Sequence, residues 1–225
     1  MTAASHLEVL ALHVDLAAAS VVDVGFGRGE LMRAIRGCGA RVRGVECGQP
    51  ARAAAIAADP SHAEDYLDGV GQALPFADGE VDVVIYSYSL HHVPAASMTA
   101  AVSEAHRVLR PSGTLYVLEP VAAGPEHDLA AMIDDETEVR ALAQAALDEI
   151  TGFEERARVD YETVNRYVDW DQWESVMVGV DAARASIMDR VRDRARPQFE
   201  ATADRGADGS FQFVEQNLLR VFDRT

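Results

Sequence analysis

Nine consecutive residues constrain this chain more than any other stretch: Val21, Val22, Asp23, Val24, Gly25, Phe26, Gly27, Arg28 and Gly29. The valines read as a short apolar strand. The alternating glycines let the backbone turn tightly and approach a ligand closely. Leu31, Met32 and Ile35 then share one helix face, and Gly37 and Gly39 stop that helix. A glycine turn opening a helix aims backbone amides at a negative group. A dinucleotide fingerprint needs a third glycine where Glu30 stands, so a carboxylate occupies the place of a pyrophosphate. Glu46 closes the next strand, at the offset where a carboxylate receives the ribose hydroxyls of an adenosine ligand.

The rest of the first half alternates in the same way. Val42 and Val45 lie on a second strand, and Ala51 to Ala58 form a helix ending before Pro60. Tyr66 to Val70 is a weak third strand and Val81 to Ser87 a strong fourth. Ala96 to Leu109 is a helix stopped by Pro111 and Gly113, and Thr114 to Leu118 is a fifth strand. A leading helix covers His6 to Ala17. Such alternation predicts a Rossmann-like, doubly wound α/β fold: a mainly parallel seven-stranded sheet with helices on both faces. In the second half, Leu129 to Ile150 and Trp170 to Ala201 look helical, while Arg158 to Tyr167 and Phe211 to Phe222 look extended. The expected organisation is one domain over 1–225. Its binding core spans 19–121, and 122–225 completes the sheet and adds a small helical cap closing the pocket.

Composition narrows the function. All 20 basic residues are arginine, which removes the Schiff-base lysine of pyridoxal enzymes and the phosphate lysine of P-loop proteins. The formal net charge of −17 repels phosphate backbones and anionic lipid, so neither nucleic acid nor membrane is an expected partner. Val83 to Ser103 lacks formal charge, but His91, His92 and Pro94 interrupt it as a spanning segment. Cys38 and Cys47 cannot form a disulfide framework or a C-x-x-C site, no basic export signal opens the chain, and a cytoplasmic location is expected.

The chain resembles the class I S-adenosylmethionine-dependent methyltransferases, particularly those of ubiquinone and menaquinone biosynthesis, with their type 11 methyltransferase domain. The resemblance covers about 100 residues. It rests on Val22 to Gly29, Glu46, the run Ala73, Leu74, Pro75, Phe76, then Asp82 to Ser87 with Leu90, His91 and His92, and finally Arg107 to Gly113. It implies S-adenosyl-L-methionine as cofactor. Asp23 and the Gly25, Phe26, Gly27, Gly29 turn would hold the methionine part, and Glu46, beside Cys47, the ribose. Gly71, Gln72 and Ala73 would meet the adenine, and Tyr86 and Ser87 the sulfonium side. Val70 stands where the family often has aspartate, Phe26 where it has a smaller residue, and Ser112 where it has glycine. Gln72, a backbone amide or Asp68 are the candidates to replace the missing carboxylate, with Gln72 preferred.

Methyl transfer is an in-line displacement in which the sulfonium loses its charge. The protein supplies alignment and exclusion of water, and no metal is required. A small-molecule acceptor of high pKa needs a base, for which His91, His92 and Glu119 are the candidates; a carboxylate acceptor needs none. Tyr86 or Tyr88 is a candidate to attract the cationic methyl region. Asp134, Asp135 and Glu136 read as acids at a helix start, Trp170 and Trp173 as a buried face or a pocket wall, and the arginines from Arg184 to Arg196 as a solvated, ion-paired face. The same motifs also suit a protein that binds the cofactor without transferring methyl. A short-chain oxidoreductase is disfavoured, because its Tyr-x-x-x-Lys pair is impossible without lysine.

Overall fold

In the computed structural model, which describes residues 5–181 and 183–225, α1 (His6–His13) leads into β1 (Ser20–Val24). Ser5 accepts the Glu8 amide and Glu8 accepts the Ser5 amide, a reciprocal cap that starts α1. Then follow α2 (Glu30–Gly37), β2 (Arg41–Glu46), α3 (Gln49–Ala58), β3 (Tyr66–Asp68), β4 (Val81–Ser87), α4 (Met98–Val108) and β5 (Leu109–Pro120). The second half holds α5 (Pro125–Ala130), α6 (Thr137–Asp148), β6 (Phe153–Tyr167), α7 (Trp170–Val180), α8 (Arg184–Thr202), β7 (Asp204–Arg205) and β8 (Phe211–Arg224).

The strands form one open sheet in the order β3-β2-β1-β4-β5-β8-β6. β1 pairs in parallel with β2 and β4, β2 with β3, and β4 with β5. The chain therefore winds outward from β1 in one direction and from β4 in the other. In such sheets a ligand crevice opens beyond the carboxyl ends of the strands at that reversal. Rossmann-like architecture is borne out, with one correction to the strand count. Among the described residues the sheet has eight strands, because the short β7 pairs antiparallel with β8 off the main path.

By contact the described residues divide into two units, one within 5–119, 141–160 and 218–225, the other within 120–140 and 161–217. In the first, Val22, Val24, Val84, Tyr86, Leu115 and Val117 project from one sheet face onto Met98, Ala101, Val102 and Ala105 of α4 and Ala143 and Leu147 of α6. In the second, Trp170, Trp173, Met188, Phe199, Phe211 and Phe213 form an aromatic core. Each buried side chain of this size contributes about 1.5–3 kcal/mol.

Several element boundaries differ from the expected ones, for local reasons. The helix expected over 129–150 is broken: Asp135 accepts the amide and hydroxyl of Thr137 and starts α6 anew, while Asp134 and Glu136 pair with Arg184. The helix expected over 170–201 is likewise two helices, with Asp181 accepting the Ala183 amide at 2.8 Å between them. The leading helix stops at His13, where Asp15 turns back to accept the Ala17 amide. β5 starts at Leu109, ahead of the expected Thr114, because Leu109 already pairs with Val81 before a register shift. Trp170 and Trp173 bury a face, and Arg184, Arg192 and Arg196 pair with acids.

Candidate functional site

The site is built at the carboxyl ends of β1, β2, β4 and β5, all within the first unit. Gly25, Gly27 and Gly29 all have positive φ, at 75°, 54° and 72°, so the turn after β1 uses the left-handed region three times. A Cβ at Gly25 would lie 2.5 Å from that of Ser89, and one at Gly29 would lie 2.7 Å from the Tyr66 ring. At Gly27 nothing lies within 4 Å of such a Cβ. That glycine borders open space, and only its backbone conformation demands it.

Glu46, at the end of β2, ties the turn to the neighbouring loop. One carboxylate oxygen accepts the Gly27 amide at 2.9 Å and the other accepts the Gly48 amide at 2.7 Å. Asp23, the penultimate residue of β1, is only 2% exposed. Its carboxylate makes no hydrogen bond or ion pair among the described residues. Burial, with the Glu46 charge second, pushes its pKa up to about 7. A buried acid held without a donor or cation is costly unless a ligand supplies one.

β4 and β5 supply a second group. The Ser89 hydroxyl donates to the Val24 carbonyl at 2.6 Å and so holds the segment after β4 against Gly25. Leu90–His92 then form a single 3-10 turn. Glu119, near the end of β5, accepts the Leu90 amide at 2.9 Å on one oxygen and the His91 Nδ1 hydrogen on the other. Both partners are buried, Glu119 at 1% and His91 at 5% exposure. The exposed His92 ring tilts against that of His91, centroids 4.1 Å apart.

Comparison with known proteins shows what part of the chain is similar to them. Residues 22–117 match the family model described as a methyltransferase domain. A curated methyltransferase of Mycobacterium marinum, itself uncharacterized, is 35% identical over 127 residues, which is 55% of this chain and 48% of that protein. The chain spans about half the length of the curated relatives it matches. Among solved structures, the Bacillus subtilis YcgJ protein is similar at a TM-score of 0.60 and 20% identity, covering 97% of each chain. The Streptomyces coelicolor geranyl diphosphate C-methyltransferase, solved with Mg2+, geranyl-S-thiolodiphosphate and S-adenosyl-L-homocysteine, is similar at a TM-score of 0.56 and 21% identity. That similarity covers 97% of this chain and 75% of the other. At these identities the solved structures speak for the fold.

The remaining sequence-derived residues lie as follows. Phe26 is buried, meets Tyr66 edge-on at 5.3 Å, and fills space that the absence of a side chain at Gly44 leaves, which accommodates its unusual bulk. Cys47 is exposed beside Glu46, and burial of its sulfur, ahead of the Glu46 charge, raises its thiol pKa. Gly71 is buried, with the Tyr86 hydroxyl 3.0 Å from where its Cβ would stand. Gln72 is half-buried and Ala73 exposed. Asp68 is drawn to Arg52 at 3.5 Å. Ser87 is half-buried at the end of β4. The Tyr86 ring is wholly buried in the core, its hydroxyl donating to the Ala101 carbonyl at 3.3 Å, and burial raises its pKa. Tyr86 therefore packs, while half-buried Tyr88, at a positive φ of 56°, meets His6 edge-on at 5.2 Å.

Two features of the site escape a sequence reading. Ser89 carries no motif, yet it pins β4 to β1 at the turn. Arg107 sits in a motif but reveals its task only in the fold: it donates to the Leu74 carbonyl at 3.1 Å and the Phe76 carbonyl at 2.9 Å. Its remaining donors reach Glu104 and Asp78. The Leu74 to Phe76 run is thereby fastened to α4. Among the described residues, no helix is long and apolar enough to cross a membrane.

Proposed function

We propose that this protein is an S-adenosyl-L-methionine-dependent methyltransferase acting on a small-molecule acceptor. The observation that carries the reading is Asp23, a buried carboxylate without a donor or cation among the described residues, beside a turn of three left-handed glycines. The cofactor's methionine end brings the ammonium group that such a carboxylate lacks. Asp23 and the Gly25 to Gly29 turn hold that end. Glu46, already oriented by two amides, has oxygen lone pairs left for ribose hydroxyls. Gly71, Gln72 and Ala73 take the adenine edge, Phe26 and Cys47 flank the turn and the ribose, and Ser87 with the Tyr86 backbone borders the sulfonium.

When bound, the cofactor supplies a methyl carbon activated by the adjacent positive sulfur. This chain's contribution is to orient it, exclude water and hold the acceptor in line, which accounts for a large part of the barrier reduction in such displacements. We assign acceptor selection to the unit within 120–140 and 161–217, and treat both units as parts of one methyltransferase domain. Two free, exposed cysteines suit a reducing compartment, in keeping with a cytoplasmic enzyme.

Isothermal calorimetry with S-adenosyl-L-homocysteine tests the reading. Wild-type protein is expected to bind it, and Gly25→Asp or Glu46→Ala protein that retains its circular dichroism spectrum is expected to lose binding. Unchanged affinity in both variants would remove the site.

A further inference from the structure

Resting on the methyltransferase reading above, we infer that Tyr66 is the positioning residue of the cofactor turn and that Asp59 holds Tyr66 in place. The turn needs support from outside itself. Gly29 is the N-cap of α2 and has no side chain to fix the helix start, and the left-handed Gly25, Gly27 and Gly29 leave the segment wide conformational freedom. Tyr66 opens β3, opposite Gly44 of β2, and is only 3% exposed. Its ring meets Phe26 edge-on with centroids 5.3 Å apart, and its Cε1 lies 2.7 Å from where a Cβ on Gly29 would stand. A single ring therefore backs the turn at both Phe26 and Gly29.

Core packing alone would ask only for an apolar side chain at this position. Tyr66 instead brings a hydroxyl that donates to Asp59 Oδ2 at 2.9 Å. Asp59 closes α3 and gathers further donors: Arg36 Nη1 on the same oxygen, and His62 Nδ1 on the other at 2.9 Å. The hydrogen bonds from His62 and then Tyr66, acting against partial burial, hold the Asp59 carboxyl at about 2, so it stays ionised and only accepts. A hydroxyl bonded to an ionised group is held more strongly than one in a neutral pair, which fixes the ring along its long axis.

Arg36 stands in the last turn of α2, and its other terminal nitrogen reaches Asp65 at 2.9 Å and the Val42 carbonyl at 3.3 Å. Both ends of α2 are thus referred to one carboxylate, the first through Gly29 and the Tyr66 ring, the last through Arg36. A slide of the helix along its axis would break one contact or the other. Arg33 adds a weaker brace, donating to the Arg28 carbonyl at 2.8 Å in an exposed position. A ligand that meets a turn already in place is spared the cost of ordering it, so Tyr66 raises cofactor affinity through Phe26 and Gly29.

Calorimetry with S-adenosyl-L-homocysteine, alongside thermal melts of the full chain, tests the inference. Tyr66→Leu is expected to weaken binding about 10-fold, and Tyr66→Phe, which keeps the ring and drops only the hydroxyl, about 3-fold. Val108→Ala removes buried atoms where α4 runs into the amino end of β5; it is expected to lower the melting temperature and keep wild-type affinity. Wild-type affinity in either Tyr66 variant overturns the inference, as does an equal loss in Val108→Ala. Nitrogen-15 NMR of ligand-free protein gives a second readout. The Gly27 and Gly29 amides are expected to shift and to exchange faster with solvent in Tyr66→Leu, less so in Tyr66→Phe, and to match wild type in Val108→Ala. Glycine amides unaltered in the Tyr66 variants also overturn it. If wild-type protein binds no S-adenosyl-L-homocysteine, the methyltransferase reading fails instead, and the glycine amides still judge whether Tyr66 positions the turn.

Discussion

Ser89 occupies the volume that a side chain at Gly25 would need: a Cβ there would stand 2.5 Å from the Ser89 Cβ, and the serine is held in place by its 2.6 Å bond to the Val24 carbonyl. Gly27, two residues on, has the same handedness of backbone and no such neighbour. The two glycines should therefore respond differently to one methyl group. Gly27→Ala is expected to cost about 1–2 kcal/mol, the left-handed strain alone. Gly25→Ala adds an overpacking term of about 1–3 kcal/mol. Urea melts of both variants, and of Gly25→Ala combined with Ser89→Gly, measure the difference; the double variant should recover most of the added term.

Asp23 titrates near neutrality in the folded chain, at about 7 against an ordinary 3.8. The native state thus binds more protons than the unfolded state between these values. The group's contribution to stability is full below about pH 4, falls as pH rises and is lost above about pH 7. Melting temperatures recorded from pH 5 to 8 should converge between wild type and Asp23→Asn at the acidic end and diverge, with the asparagine variant more stable, at the alkaline end. On the proposed reading the ionised form pairs with the ligand's ammonium group, and affinity for S-adenosyl-L-homocysteine is then expected to rise through pH 7. Calorimetry below pH 7 in two buffers of different ionisation enthalpy should detect proton release on binding.

Ser112 sits at φ 62°, in the left-handed region that favours glycine. The left-handed conformation costs a residue with a side chain about 1–2 kcal/mol. Glycine relieves that cost but returns about 0.5–1 kcal/mol through a looser unfolded chain. Ser112→Gly is expected to gain about 0.5–1 kcal/mol, a rise of roughly 2 °C in melting temperature for a chain of this size. Ser112→Val should lower it. Differential scanning calorimetry checks both signs.

Arg107 fastens the Leu74 to Phe76 run through two carbonyls and two acids. Arg107→Ala is expected to destabilise the protein by about 1–3 kcal/mol, since hydrogen bonds to a charged group are lost at once. Arg107→Lys should recover less than half of this, because an ammonium cannot serve the planar fork of partners. The run adjoins Gln72 and Ala73, so affinity for S-adenosyl-L-homocysteine should fall with stability in the alanine variant. Chemical denaturation and calorimetry on the same preparations test the link.

The strand, glycine turn and helix from Val21 to Ile35 were readable from residue order alone, because the signals act over a few residues: valine strand preference, glycine φ and the helical spacing of Leu31, Met32 and Ile35. Glu46 was readable for the same reason, lying one strand away at a set offset. The helix breaks at Asp135 and Asp181 were also local, but they depend on which of several acids turns back to cap, and the longer hydrophobic pattern conceals that choice.

Only the tertiary structure decided the rest. His91 and Glu119 are 28 residues apart, and they meet because β4 and β5 pair in parallel and end together. The same pairing chose which of the alternating tyrosines went to the core: Tyr86 lies on the face that packs on α4. The insertion of β8 between β5 and β6 follows no local propensity. Local rules fixed which backbone turns could form, because φ preference and periodicity are properties of neighbouring residues. Which polar side chains became partners was settled by strand order, because a hydrogen bond reaches only about 3 Å and the chain must fold before such groups come that close.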